Sequence, residues 1–177
     1  TQSEEPVKWV VEDFLKPLDP KVQIELEGRM VHIGVWRYVL SGETGHQIPV
    51  YFLDTDLPGN SEWDRSLTGT LYGGDQRYRL CQEALLGLGG VRMLQAVGHR
   101  QIGRFHLNEG HASLLVLGLL EEALASVGVD KEPSAAVVEA VRPRCVCTTH
   151  TPVPAGPDQF PADMAERLTS AGIEVES

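Results

Sequence analysis

Two short clusters in the sequence combine imidazole, carboxylate, amide and hydroxyl groups. Residues 106–111 read HLNEGH, and residues 148–151 read TTHT. Side chains of these types donate and accept hydrogen bonds, which suits a neutral polyhydroxylated ligand such as a sugar. Neither cluster pairs a nucleophile with an activating base, so covalent catalysis by a side chain is not indicated.

The first cluster could instead be a metal site or the start of a helix. His106 and His111 are five residues apart, which differs from the i, i+4 histidine pair of a zinc-binding helix and disfavours metal binding. Asn108 can cap a helix that begins near Gly110, and Glu109 then favours the positive end of that helix. A helix start alone therefore accounts for these residue types without any function.

A parallel sheet would bring the two clusters together. Short apolar strands are predicted at residues 102–107 and 145–148, each leading into one of the clusters, and a helix is predicted over residues 110–127. In open α/β sheets, ligands bind outside the carboxyl ends of the parallel strands. If the two strands are neighbours, their ends form one polar cleft.

The whole chain, residues 1–177, is expected to be a single partial domain. Alternation of apolar and polar residues predicts an antiparallel sheet of about three strands within residues 1–55, followed by a polar loop at 56–75. Residues 76–177 predict an α/β, Rossmann-like portion with crossover helices. The GLGG stretch at 87–90 interrupts a helical pattern, which indicates close helix packing rather than dinucleotide binding.

Composition narrows the classes of partner. A formal net charge of −10, without a local Lys/Arg cluster, repels nucleic acid phosphates and anionic lipid. The apolar stretch at 112–120 is far shorter than the roughly 20 residues of a membrane-spanning helix. The three cysteines give no disulfide framework, which favours a reducing compartment, the cytoplasm. We therefore expect neither a nucleic acid nor a membrane partner.

Five blocks of the sequence resemble one known family. In order along the chain they are IPVYFLDTDLPGNSEWDR, LYGGD, RLCQEALLGLGGVRMLQAVG, HLNEGHA and TTHTPVPAG. Similar blocks occur in the same order in α-glucan phosphorylases, and the resemblance covers roughly positions 20–161. It implies the GT-B fold, in which two Rossmann-like domains face each other across a cleft. It also implies a retaining glycosyltransferase that uses phosphate to release glucose 1-phosphate from glycogen or maltodextrin.

The resemblance also implies roles for individual residues. Residues 108–111 match the family's N-[DE]-x-H motif in the catalytic cleft, and His150 matches the histidine of its Thr-His-Thr segment. The main-chain carbonyl of His150 is then expected near the anomeric carbon, where positive charge develops. Glu109 is expected to orient sugar hydroxyls or neighbouring groups. The implied catalytic residues are His150, Glu109 and His111, and the implied substrate-binding residues are Asn108, Thr149 and Thr151.

Two departures from the family pattern limit what this chain is expected to do. Pro157-Asp158 stands where this branch commonly has His-Asp. The family binds pyridoxal phosphate through a lysine in a Gly-Met-Lys context of its C-terminal domain. None of the lysines here has that context; they are Lys8, Lys16, Lys21 and Lys131. We therefore expect an internal segment of the N-terminal domain that neither binds this cofactor nor cleaves glucan alone.

The partners that the resemblance implies are the α-1,4-glucan, inorganic phosphate and the C-terminal domain of the same enzyme. A homo-oligomeric whole enzyme is compatible with it. Two other hypotheses stay open. One is a non-catalytic glucan-binding module or remnant, and the weaker one is a metal-dependent hydrolase that uses His106, His111 and His150.

Overall fold

The computed structural model describes most of the chain, namely residues 10–71, 73–128, 133–151 and 159–168. Two of the four lysines, Lys8 and Lys131, lie outside the described residues. The same holds for the loop residues 152–158, which include the Pro157-Asp158 departure.

The first part of the chain forms a three-stranded antiparallel sheet in the order β1-β2-β3. Its strands are β1, Lys16–Leu26, β2, Arg29–Ser41, and β3, Gln47–Asp54. Directly opposed apolar residues, such as Ile24 and Val31, are buried together on one face. This sheet confirms the antiparallel structure predicted for residues 1–55.

A helical segment with one π-helical turn packs on this sheet. It consists of α2, Gln76–Ala84, the π turn, Leu85–Gly89, and α3, Gly90–Ala96. The side chain of Asp75 caps α2 by accepting a hydrogen bond from the N–H of Tyr78 at 2.9 Å. The π turn falls on the GLGG stretch, so these glycines lie inside a helix, as their position in the helical pattern indicates.

The predicted loop at 56–75 contains a short helix that the sequence analysis did not anticipate. This helix, α1, spans Glu62–Ser66. Ser61 precedes it, and its hydroxyl oxygen accepts a hydrogen bond from the N–H of Asp64 at 3.2 Å. A serine followed three residues later by an acidic residue is a capping-box signal, and here it lies in a stretch otherwise typical of a loop.

A charged cluster attaches the β1–β2 turn to α2. Glu27 and Gly28 form this turn with φ of 50° and 77°, both in the left-handed region. The Glu27 carboxylate accepts two hydrogen bonds from Arg77, at 2.7 and 2.6 Å, and one from Arg29 at 2.6 Å. Hydrogen bonds from these guanidinium groups, Arg77 above all, lower the pKa of Glu27 to about 2.

The second half of the described chain holds a parallel pair of strands and several helices. The strands are β4, Phe105–Asn108, and β5, Cys145–Thr148. The connection between the two strands contains two helices and a 3-10 turn. They are α4, Leu115–Val127, α5, Ala135–Val141, and the 3-10 turn, Arg142–Arg144. Helix α6, Ala162–Leu168, follows β5. Antiparallel sheet, parallel pair and helices together make an α/β fold.

Two apolar clusters meet at the central helical segment. Leu80, Ala84 and Leu85 belong to the cluster that also contains the buried residues of the antiparallel sheet. Val91 belongs to the second cluster, which joins β4 to α4 through residues such as Leu119. The segment from α2 to α3 therefore packs against the antiparallel sheet with one part of its surface and against the β4–α4 region with another.

A close backbone approach joins the π turn to the start of α4. A Cβ atom added to Gly87 would lie 2.5 Å from the backbone nitrogen of Leu115 and 2.8 Å from the carbonyl carbon of Leu114. Both atoms belong to the backbone, so they cannot move aside as a flexible side chain can. Gly90, three residues later, has no neighbouring atom within 4 Å of such a Cβ.

Gly87→Ala is therefore expected to destabilise the fold by about 1–3 kcal/mol, the usual range for overpacking. The matched control, Gly90→Ala, is expected to leave stability unchanged or raise it by about 0.5–1 kcal/mol, because alanine favours a helix. Urea denaturation of both variants measures the free energy of unfolding. Equal stabilities of the two variants would contradict the packing role of Gly87.

Candidate functional site

The two polar clusters meet because β4 and β5 are neighbours in parallel register. Asn108, the last residue of β4, pairs with Thr148, the last residue of β5. Along β4, Phe105 and Leu107 are buried, whereas His106 and Asn108 are exposed. The carboxyl ends of both strands therefore present their polar side chains at one edge, as the sequence predicts.

The carboxylate of Glu109 joins the two strand ends. Its Oε1 atom accepts hydrogen bonds from the N–H of His150 at 2.7 Å, and from the N–H and the hydroxyl of Thr151 at 2.7 and 2.9 Å. His150 Nδ1 lies 3.2 Å from the same oxygen. Glu109 is only 6% exposed, so one buried carboxylate organises the backbone that leaves β5.

The protonation of Glu109 follows from these contacts. The N–H of His150 contributes most to lowering the pKa of Glu109 below its ordinary value of 4.5, and the hydroxyl and N–H of Thr151 act in the same direction. Because the folded-state pKa is depressed, the stabilising contacts are present above pH 4.5 and are lost as the pH falls through the lowered pKa.

The local backbone corrects the helix-start interpretation. Helix α4 begins at Leu115, not near Gly110, and Asn108 does not cap it. Glu109 has a φ of 60°, which a right-handed helix does not accommodate, and its N–H donates to the carbonyl of Thr148 at 2.9 Å. Since Asn108 and Glu109 are both directed to β5, a series of turns separates them from the helix.

His150 links this carboxylate to Asn108. Its Nε2 atom lies 2.9 Å from Asn108 Oδ1, and its side chain is 58% exposed. In this contact the amide oxygen accepts, so Nε2 of the imidazole is the donor. Thr149, between Thr148 and His150, is exposed.

A cleft of about 660 Å³ opens next to these strand ends. Asn108 and His111 belong to its lining, and His111 Nδ1 lies 3.7 Å from Glu83 Oε1 of α2. His150 contacts this lining through Asn108. Much of the remaining surface is apolar or aromatic, including Tyr51, Phe52, Leu53, Leu67, Leu71, Leu85 and Leu86. The cleft thus combines an apolar wall with a polar edge.

Several polar residues of the cleft escaped the sequence analysis. Glu83, Gln82 and Arg79 reach it from α2. His106, already a candidate from the sequence, reaches it from β4, where its Nε2 lies 2.5 Å from Thr148 Oγ1. Glu83 is buried among the apolar residues of α2, and a carboxylate on the core-facing side of a helix is the signal that identifies such a residue.

The described residues fit neither a metal site nor an attachment point for pyridoxal phosphate. No group of three His, Cys, Asp or Glu side chains converges among them in a way that could hold a metal ion. Their lysines, Lys16 and Lys21, are exposed on β1 and do not line the cleft. None of the described helices combines the length and apolar character needed to cross a bilayer.

Replacement of Glu109 tests the carboxylate link. In Glu109→Gln, the amide protons of His150 and Thr151 are expected to exchange about tenfold faster or more, because hydrogen bonds to a charged acceptor are lost. In the wild type, the NMR shifts of the same amides should titrate with a midpoint below 4.5, and the variant should lack that titration.

Glu122→Gln is the matched control, since Glu122 accepts hydrogen bonds from Gln95 and Arg144 elsewhere in the fold. It should leave the exchange and the titration of both amides unchanged. A midpoint of 4.5 or higher in the wild type would show that Glu109 does not hold these amides as a carboxylate.

Comparison with known proteins places this arrangement in a family. No family model matches the chain. It is 42% identical over 130 residues to glycogen phosphorylase of Mycobacterium tuberculosis, an alignment that covers 70% of this chain and 14% of that protein. It is 34% identical over 170 residues to maltodextrin phosphorylase of Thermococcus litoralis, covering 93% and 18%.

A third relative shows a similar level of identity over most of the chain. Glycogen phosphorylase of Aquifex aeolicus is 33% identical over 161 residues, which are 91% of this chain and 22% of that protein. The chain therefore spans less than a quarter of the length of these relatives. Over the segment that it spans, it belongs to the α-glucan phosphorylase family.

Proposed function

We propose that the whole protein is a 1,4-α-glucan phosphorylase, which releases glucose 1-phosphate from a glycogen or maltodextrin chain end with inorganic phosphate. In this proposal the chain supplies part of the N-terminal domain of a GT-B enzyme, and the described segment alone is inactive. The names of the relatives support the reaction, and their alignments cover most of this chain.

The observation that carries the proposal is the carboxylate of Glu109 between the two strand ends. It holds the N–H groups of both His150 and Thr151, so the peptide unit between these residues has a fixed orientation. That unit contains the carbonyl of His150. A fixed carbonyl dipole beside the anomeric carbon stabilises the positive charge of the transition state without reorganisation.

The other predicted residues bind the sugar in this proposal. Asn108 and His111 line the cleft and present amide and imidazole groups to glucose hydroxyls. Thr149 is exposed and precedes His150 in the chain, and Thr151 donates its hydroxyl proton to Glu109 while its oxygen keeps acceptor capacity. Glu109 acts as a positioning residue, because its Oε1 already accepts protein hydrogen bonds.

The cofactor and the second wall of the active site come from outside this sequence. The family resemblance implies that a lysine of the C-terminal domain holds pyridoxal phosphate, and Lys16 and Lys21 of this chain are exposed on β1, away from the cleft. That domain closes the cleft and binds phosphate. The enzyme works in the cytoplasm, a reducing compartment that suits its three free cysteines.

Phosphorolysis by the whole protein tests the reaction. With maltodextrin, inorganic phosphate and added pyridoxal phosphate, glucose 1-phosphate should form in a phosphate-dependent manner, as a coupled assay measures. A folded, cofactor-loaded protein that binds maltodextrin but forms no glucose 1-phosphate would instead support a non-catalytic glucan-binding module.

His150→Ala in the whole protein is expected to lower kcat about tenfold or more, because it removes the imidazole between Asn108 and Glu109 while the main-chain carbonyl remains. The matched control is His46→Ala, in the exposed β2–β3 loop, which should keep wild-type kcat. Circular dichroism and thermal unfolding should show that both variants fold. An unchanged kcat in His150→Ala would show that the His150 side chain takes no part in the reaction.

A further inference from the structure

One side of the cleft is a short stretch without regular secondary structure, residues 67–71, which we call the wall segment. It follows α1, and its Leu67, Thr68, Thr70 and Leu71 side chains line the cleft. Leu71 is 75% exposed, whereas Leu67 is 1% exposed. The wall segment therefore runs from the core to the open mouth of the cleft within a few residues.

A single amide group holds this segment at two points. Gln82 Nε2 of α2 donates to the carbonyl of Leu67 and to the carbonyl of Thr70, each at 2.8 Å. An amide nitrogen carries two protons, so both bonds form at the same time and fully use the donor. Because the two carbonyls are three residues apart, Gln82 fixes the shape of the turn as well as its distance from α2.

Two further contacts fix the beginning of the wall segment. Tyr78, one turn before Gln82 on α2, donates its hydroxyl proton to the carbonyl of Ser66. The Thr68 hydroxyl oxygen accepts from the N–H of Thr55 at 3.1 Å, and Thr55 is fully buried after β3. These contacts attach the beginning of the wall segment to the core, while Gln82 also binds the carbonyl of Thr70 further along it.

We propose that Gln82 is a positioning residue for ligand binding: it holds the wall segment in place against the sugar bound in the cleft. This rests on the proposed function, because it takes the cleft as the glucan site. Two carbonyls held by one side chain lose that support together when the amide is removed. The segment then samples other conformations, and binding has to select the one that fits.

The position of Gln82 separates this role from a direct contact with reacting atoms. It lies on α2, whereas Asn108, Glu109 and His150 lie at the ends of the parallel strands. Its loss should therefore weaken ligand binding and raise KM more than it lowers kcat. A residue that only stabilised the fold would lower the amount of folded protein without changing KM.

The test uses the whole protein with two variants of Gln82. Gln82→Met keeps the length of the side chain and a high helix propensity but has no donor, and Gln82→Glu keeps the shape but places an oxygen against each carbonyl. Gln76→Leu is the control, since Gln76 is also on α2 and donates to the carbonyl of Gln159 at 3.3 Å, outside the cleft lining.

Hydrogen exchange measured by mass spectrometry and titration with maltoheptaose are the two readouts. Both Gln82 variants should show at least about tenfold faster exchange of residues 67–71 and about tenfold weaker binding, the effect of losing hydrogen bonds worth a few RT. The control should match the wild type in both. Unchanged exchange, or faster exchange with wild-type affinity, overturns the proposal.

The wild type separates this proposal from the proposed function. If the wild type itself does not bind maltoheptaose, the glucan assignment of the cleft fails, and with it the role of Gln82 in binding. If the wild type binds and the Gln82 variants keep its affinity despite faster exchange, the glucan site stands and the positioning role fails.

Discussion

The close backbone approach between Gly87 and the start of α4 sets the geometry on which the cleft depends. The contact leaves no space for a Cβ, so the π turn and the backbone of Leu114–Leu115 lie at a nearly fixed distance. Glu83 lies one turn before Gly87, and His111 precedes α4 by a few residues. The same packing brings α2 and the residues before α4 together, and Glu83 Oε1 lies 3.7 Å from His111 Nδ1. A packing requirement in the GLGG stretch becomes a constraint on the site.

At Glu109, hydrogen bonds compensate for a strained, left-handed backbone conformation. A residue other than glycine in this region costs of order 1 kcal/mol or more and persists only where its surroundings enforce it. Here the N–H of Glu109 bonds to Thr148, while its carboxylate bonds to His150 and Thr151. Several hydrogen bonds to one charged group outweigh the strain, and β4 and the residues after β5 become one structural unit.

Local sequence patterns predicted the elements better than their junctions. The alternation in β4 and the apolar run of β5 depend on neighbouring residues, so the parallel pair and the meeting of its polar ends were predictable. The conformation of Glu109 depends on donors 41 and 42 residues later, which no local pattern contains. Helix α1 was missed although Ser61 and Asp64 carry a capping signal, because the surrounding residues are typical of a loop.

The two sides of the cleft are held by the same kind of interaction. On one side the Glu109 carboxylate binds N–H groups of the backbone after β5, and on the other the Gln82 amide binds carbonyls of the wall segment. A sugar hydroxyl gains only about 0.5–1.5 kcal/mol from each hydrogen bond, so little free energy is left for ordering loops on binding. A cleft that recognises such a ligand therefore needs irregular backbone fixed in advance, and side chains that bind backbone groups provide this.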